Sequence, residues 1–456
     1  MSPKSSRATD PGRTVDALSV SRRTLLVAGG ASLAGVAAVR LVGALGGEGG
    51  RAPGTARPPQ SPSGPPLLNG MVANVRDFGA AGDGVTDDSG AVRRALVEAN
   101  AARGTLFFPA GTYAYGLGGP FEPAEGVTVA GEPGRSILRF QPPSTGEFAS
   151  FSRPLASRVT FDGLVLERAA DFPCVFLAVP AITQLTLSRM SFVGNQDRFT
   201  GSYCHGVQLG VENGGTTSGL RWTDSVATTM TYALFQTNDS TAVTEDVEVS
   251  RCRFAGNADT DLEFNSPKGA TRRVLVEDCE FRDHGPQGFA VGLATCTDVT
   301  IRHNTMAQLS LEAIHVEDYS ENVIITGNRI MAAGLAGYSH VQLIGGARRI
   351  TVTGNAFDAS ANTNAISVVY ALAGGSEPTP GGRPVAPPSG VEVTDNDFVL
   401  AEKVSAVTFE GVTGGAIRDN RLSGPRVTAG EPSTAIATTD STGIAVGGNT
   451  ADGEAF

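Results

Sequence analysis

The chain is poor in the residues that announce most kinds of site. It has a single Trp, and aromatic residues make up only 6% of it. Its five cysteines are an odd number and do not make a disulfide framework. No CxxC pair occurs, and the four-ligand spacing of a zinc site is absent. No Gly-rich phosphate loop sits between a strand and a helix, so nothing suggests a nucleotide cofactor. Charged residues are only 18% of the chain, and the net charge is −11. The first 45 residues are basic, so the body is more acidic than the whole. An acidic body argues against nucleic acid and anionic membranes as partners. The one apolar stretch, ending at Val39, is too short and too small-residued for a membrane span.

Glycine is abundant, at 58 residues, and Val/Thr/Ile-rich segments are many. Such a composition suits short strands joined by tight turns. One phrase recurs through the middle of the chain. It reads Val247-Glu-Val-Ser-Arg-Cys252-Arg-Phe254, then Val274-Leu-Val-Glu-Asp-Cys279-Glu-Phe281, and returns around Asn304, Asn328 and Asn355. The steps between these anchors are 27, 25, 24 and 27 residues. Leu164, Met190 and Ser225 continue the series upstream, and Asn396, Asn420 and Asn449 downstream.

A fixed period in this range signals a solenoid. Each repeat alternates apolar and polar residues, the pattern of a half-buried strand. One repeat cannot bury its apolar face alone and must stack on the next. The expected fold is all-β: a single-stranded right-handed parallel β-helix of about ten rungs, spaced about 4.8 Å apart. Asn at a shared turn position fits such stacking, because its amide can bond the rungs above and below. Cys252 and Cys279 fall in the same column and read as two stacked core thiols.

The N-terminus carries Ser21-Arg22-Arg23-Thr24-Leu25-Leu26 before the weakly apolar run, and it resembles a twin-arginine export signal. Residues 1–45 are therefore read as an export signal and 46–70 as a Gly/Pro-rich linker. The β-helix domain is then 71–456, and the protein is expected to be secreted or held at the cell surface. The only membrane contact foreseen is through an uncleaved signal.

Asn74-Val-Arg-Asp77-Phe-Gly-Ala-Ala-Gly-Asp83-Gly-Val-Thr-Asp87-Asp88 opens the domain. Ala91, Val92, Ala95, Leu96 and Ala99 then follow at helical spacing, with Asp87 or Asp88 placed to cap the helix. Such a helix would close the open end of the solenoid. Phe108-Pro-Ala-Gly-Thr-Tyr113 comes next. This opening is similar to that of the rhamnogalacturonase/epimerase-type pectate-lyase-like superfamily. The resemblance implies a right-handed β-helix that handles polysaccharide. The family includes hydrolases, lyases, uronan epimerases and phage tailspikes, so it does not fix the reaction. The Asn-Thr-Asp, Gly-His-Gly and Arg-Ile-Lys motifs of the polygalacturonase branch are missing here. No catalytic residue carries over from that branch.

Candidate site residues follow from strand parity. A second strand follows each anchor. If Leu262 and Phe264 point inward, Asp261, Glu263 and Asn265 point out. In the next turn Gly288, Ala290 and Gly292 point out. Then come His315 and Glu317, then His340 and Gln342, with Gln208 and Gln236 on the same face upstream. The Gly/Ala rung would leave a notch between Asp261/Glu263 and His315/Glu317. Residues i and i+2 on a strand are about 6.6 Å apart and two rungs span about 9.6 Å, near the carboxyl spacing of inverting glycosidases. Asp261, Glu263, His315 and Glu317 are thus candidate catalytic residues. Gln208, Gln236, Asn265, His340 and Gln342 are candidate substrate ligands. Asp261, Glu263 and Asn265 are also the candidates for Ca²⁺, the cofactor that a lyase or epimerase would use. Three functions stay open: a glycoside hydrolase, a uronan lyase or epimerase, and a non-catalytic glycan-binding or structural β-helix.

Overall fold

The computed structural model describes residues 64–456 apart from 117–120, 143–148, 153–156, 196–201, 212–213, 237–240, 267, 286, 375–383 and 429–431. The proposed export signal and most of the linker lie outside the described residues. The linker's last residues run along the body: Leu67 N donates to Asp162 Oδ2 (2.9 Å) and Asn69 N to Thr105 Oγ1 (2.6 Å).

The described residues wind through three sheets of 14, 15 and 11 strands, in that order within each complete turn, paired in parallel except for the terminal pair Thr450–Ala451 with Glu454–Ala455. One such turn is Val243–Ser250, Arg253–Ala255 and Leu262–Asn265, after which Ala270–Glu277 starts the next. The fold is a parallel β-solenoid of about 12 turns rather than about ten. The uncounted turns lie upstream of Leu164, where strands Thr105–Phe108 and Thr128–Gly131 lack the recurring anchor residue.

Like residues stack in register because each turn repeats the same alternation. Val247 pairs with Val274, then Val299, Val323, Ile350 and Val391, and all six are buried. The few large rings gather inside the solenoid as a chain from Phe140 through Phe176, Phe192 and Trp222 to Phe254 and Phe281.

The anchor column forms a continuous ladder. Asn304 Nδ2 donates to Asn328 Oδ1, Asn328 to Asn355, Asn355 to Asn396, Asn396 to Asn420 and Asn420 to Asn449, each at 3.0 Å. Each acceptor oxygen also takes the backbone N–H of the preceding Asn. The amides are wholly buried, so every one of these bonds satisfies a group that water cannot reach. Upstream, Cys279 N donates to Asn304 Oδ1 (2.9 Å), Cys252 N to Cys279 Sγ (3.4 Å) and Met190 N to Ser225 Oγ (3.0 Å). All five cysteines are free and buried.

The opening helix spans Ser89–Ala102 and buries Ala91, Val92, Ala95, Leu96 and Ala99. Asp88 holds the N-cap position, yet its carboxylate turns back to accept from Ala81 N (2.6 Å) and Gly82 N (3.2 Å). Asp87 does the capping, accepting from Ser89 N at 3.0 Å.

Candidate functional site

The outward face of the 11-stranded sheet builds a row from one residue per turn. Register pairs Gln208 with Phe235, Phe235 with Glu263, Glu263 with Gly292, Gly292 with His315, His315 with Gln342, Gln342 with Tyr370 and Tyr370 with Thr408. A second row, two residues further along each strand, holds Asn265, Ala294 and Glu317. Six sequence-derived residues therefore share one face: Gln208, Glu263, Asn265, His315, Glu317 and Gln342.

Three others turn inward. Asp261 is wholly buried and pairs with His284 Nε2, while Asn257 Nδ2 donates to its other oxygen. His340 is wholly buried, its Nε2 3.3 Å from Asn362 Oδ1 and its ring near Phe357. Both stand immediately before a strand, at the corner where the chain swings in from the 15-stranded sheet, and there alternation fails. Ala233, Ala290, Ala313 and Val368 hold the same corner in other turns and are all buried. That apolar column was the available signal. Gln236 lies at the other strand end, buried, and accepts from Thr271 Oγ1 at 2.8 Å.

The notch over Gly292 is taken up by neighbours. Glu263 leans across it, so that a Cβ on Gly292 would stand 2.5 Å from Glu263 Oε2 and 3.3 Å from Phe289 Cδ2. Phe289 in turn stacks on His315, with ring centroids 4.4 Å apart and planes 13° from parallel. His315 lies between two carboxylates, with Nδ1 3.6 Å from Glu312 Oε1 and Nε2 3.6 Å from Glu317 Oε2. These are ion-pair contacts beyond hydrogen-bond length. Glu312 is wholly buried, and among the described residues neither of its oxygens has a hydrogen-bond partner.

The electrostatics set two groups apart. Burial raises Glu263, and the charges of Glu317 and Asp259 add to it; His315 and Asn265 pull the other way, leaving the carboxyl at about 7. Burial alone would discharge His315, but Glu312 and Glu317 outweigh it and push the imidazole up to about 10. A carboxyl that stays protonated near neutrality thus faces a charged His–Glu pair across one bare rung.

Sequence reasoning missed Asp259, Glu312 and the aromatic members of the face. Asp259, raised mainly by burial, bonds the Tyr232 hydroxyl. Asp259 and Glu312 lie in turns, where parity gives no direction. Phe235 and Tyr370 belong to the same row as Glu263 and could have been found by following that offset into neighbouring turns. Asp197 and Arg198, between strands Ser191–Val193 and Cys204–Leu209, lie outside the described residues. Arg272 and Arg273 lie on the 14-stranded sheet, engaged with Glu245 and Asp246. The Ca²⁺ set does not assemble, because Asp261 points inward and Glu263 out. Among the described residues no three His, Cys, Asp or Glu side chains converge as a metal site.

Fold and face together define a parallel β-solenoid that carries Glu263 and Glu317 on one outward sheet face. The chain belongs to the Rhamnogalacturonase A/epimerase, pectate lyase-like family, whose model matches residues 72–338. A 69-residue stretch is 48% identical to mannuronan C5-epimerase AlgE4 of Azotobacter vinelandii, covering 15% of this chain and 10% of that protein. A 57-residue stretch is 50% identical to AlgE1 of the same organism, covering 12% of this chain and 4% of that protein. The matches thus span a tenth or less of these relatives' length. Among solved structures, the A-module of Azotobacter vinelandii mannuronan C-5 epimerase AlgE6 superposes with a TM-score of 0.53 at 17% identity, covering 83% of this chain and 98% of that one. Tailspike protein 3 of bacteriophage CBA120 gives 0.55 at 15% identity, covering 84% of this chain and 58% of that one. At such identities the likeness is one of fold.

Proposed function

We propose that this outward face forms a groove that binds a polysaccharide and cleaves it by hydrolysis, with Glu263 as the proton donor and Glu317 as the carboxylate that activates water. The observation that carries this reading is Glu263 itself, an outward carboxyl whose surroundings keep its proton to about pH 7. A general acid works best with a pKa near the operating pH. Glu263 and Glu317 stand two rungs apart, about 9.6 Å along the solenoid axis, which suits a water between sugar and base. Water would add at the anomeric carbon and lose its proton to Glu317, while the proton of Glu263 passes to the leaving oxygen. Export through the Arg22-Arg23 signal is part of the proposal and would bring the protein to an extracellular glycan.

A second reading is uronan epimerisation, favoured by the short stretches, 48–50% identical, that align with mannuronan C5-epimerases. That chemistry needs a base at the sugar carbon and a positive group on the uronate. Within the described outward row the cation is His315, already flanked by Glu312 and Glu317. The acidic groove therefore favours a neutral glycan. Product analysis on neutral and uronic polysaccharides separates the readings. New reducing ends support hydrolysis, an unsaturated product indicates a lyase, and inverted uronate without chain cleavage indicates an epimerase. Retention of glycan with no turnover would reduce the protein to a binding module.

A further inference from the structure

The two turns that precede Glu263 carry an aromatic patch on the same outward face. Tyr203 and His205 belong to the first of these turns, Tyr232 and Phe235 to the second. His205 is the hub: its ring centroid lies 5.0 Å from Tyr203, 5.2 Å from Tyr232 and 4.9 Å from Phe235. Tyr232 and Phe235 are 4.8 Å apart. Burial pulls His205 down to about 4, so the hub is neutral and the patch apolar. Tyr203, Tyr232 and Phe235 each keep part of the side chain open to the outside. This sets them apart from Phe140, Phe176, Phe192 and Trp222, which lie wholly inside.

The patch is held by a costly internal device. Arg168 is wholly buried, and its guanidinium donates to three main-chain carbonyls: Gly194 at 2.6 Å, Phe172 at 2.7 Å and Ser202 at 3.0 Å. Taking an arginine out of water is expensive, and these bonds offset the cost. Ser202 directly precedes Tyr203, and the Tyr203 carbonyl is itself taken by Cys174 N at 3.0 Å. The main chain that presents Tyr203 is therefore fixed before any ligand arrives. Preorganisation of this kind reduces the ordering cost of binding. On the other side, the Tyr232 hydroxyl bonds Asp259, tying the patch to the acidic turn.

We propose that Tyr203, Tyr232 and Phe235 form a preorganised sugar-stacking subsite, which holds the apolar face of a glycan unit on the N-terminal side of Glu263. This rests on the reading of the groove as a glycan site. A pyranose presents axial C–H groups on one face, and an uncharged, part-exposed group of three rings is the surface that takes them. Buried Arg168 acts as a positioning residue for Tyr203.

The test is calorimetric binding of neutral hexose oligosaccharides and of oligouronates, each of graded length, to protein carrying Glu263→Gln so that turnover does not interfere. Adding Tyr203→Ala or Phe235→Ala is expected to weaken binding about two- to tenfold each, the range of one lost aromatic contact. Phe235→Leu keeps apolar volume without the flat face and serves if Phe235→Ala fails to fold; it too is expected to weaken binding. Arg168→Met is expected to weaken binding less when Tyr203 is already Ala. Unchanged affinity in the folded Tyr203 and Phe235 variants overturns the subsite, as does the absence of binding by any oligosaccharide. If affinity falls as expected while Glu263→Gln leaves turnover intact, the subsite stands and the assigned reaction fails.

Discussion

The Glu263 carboxylate lies directly over the bare Cα of Gly292, so that a methyl group there would stand 2.5 Å from Glu263 Oε2. The obstructing atom is the free end of a side chain, which can swing away. Gly292→Ala is therefore expected to leave the melting temperature nearly unchanged, within about 0.5–1 kcal/mol of stability. It should lower kcat/KM at least about tenfold by displacing the proton donor. Thermal melts and steady-state kinetics on the same preparation check both halves.

His315 holds two glutamates on one ring. Its folded pKa of about 10 lies above the ordinary 6.5, so the stability it contributes is complete below pH 6.5 and is lost as pH rises through about 10. His315→Leu would leave Glu312 buried beside no cation, at an expected cost of about 3–5 kcal/mol. Denaturant unfolding at neutral and alkaline pH should show the gap between wild type and variant closing as pH rises. Imidazole resonances of His315 that titrate near 6.5 would contradict this arrangement.

Asp261 sits inside the solenoid, paired with His284 and bonded by Asn257. Asp261→Ala is expected to destabilise the protein by about 3–5 kcal/mol through the stranded His284. Unfolding midpoints of the variant report this. Normal stability with abolished turnover would instead place Asp261 in the chemistry.

Asn328 makes bonds in four directions, to Ile301 O and Asn355 Oδ1 as donor and from Asn304 N and Asn304 Nδ2 as acceptor. Asn328→Ala removes them all and leaves buried groups unpaired, at an expected cost of about 2–4 kcal/mol. Urea denaturation measures it.

The parts of this fold that could be read from the sequence are those where the solenoid imposes one residue type on one place. The Asn column is such a place, because a buried amide donates to the next rung while accepting from the last. Mid-strand residues are another, and Glu263, His315 and Gln342 face outward for that reason. Asp261 and His340 escaped because they stand at corners, where two successive residues turn inward and parity no longer applies. Gln236 escaped because a polar residue at a strand end can find a partner inside, here Thr271. Phe235 was passed over because an aromatic residue on a strand reads as core. Its part exposure appears only once the row it shares with Glu263 is traced through neighbouring turns. Glu312 lies in a turn, and no periodic pattern points to it.

The most direct measurement is turnover of a neutral polysaccharide panel by wild type and Glu263→Gln across the pH range. Wild type is expected to release new reducing ends, with the rate falling as pH rises through about 7 and Glu263 loses its proton. Glu263→Gln is expected to lose about 10²–10⁴-fold in rate. Turnover by Glu263→Gln at the wild-type rate, with the same pH profile, would contradict the assignment of this groove as the catalytic site.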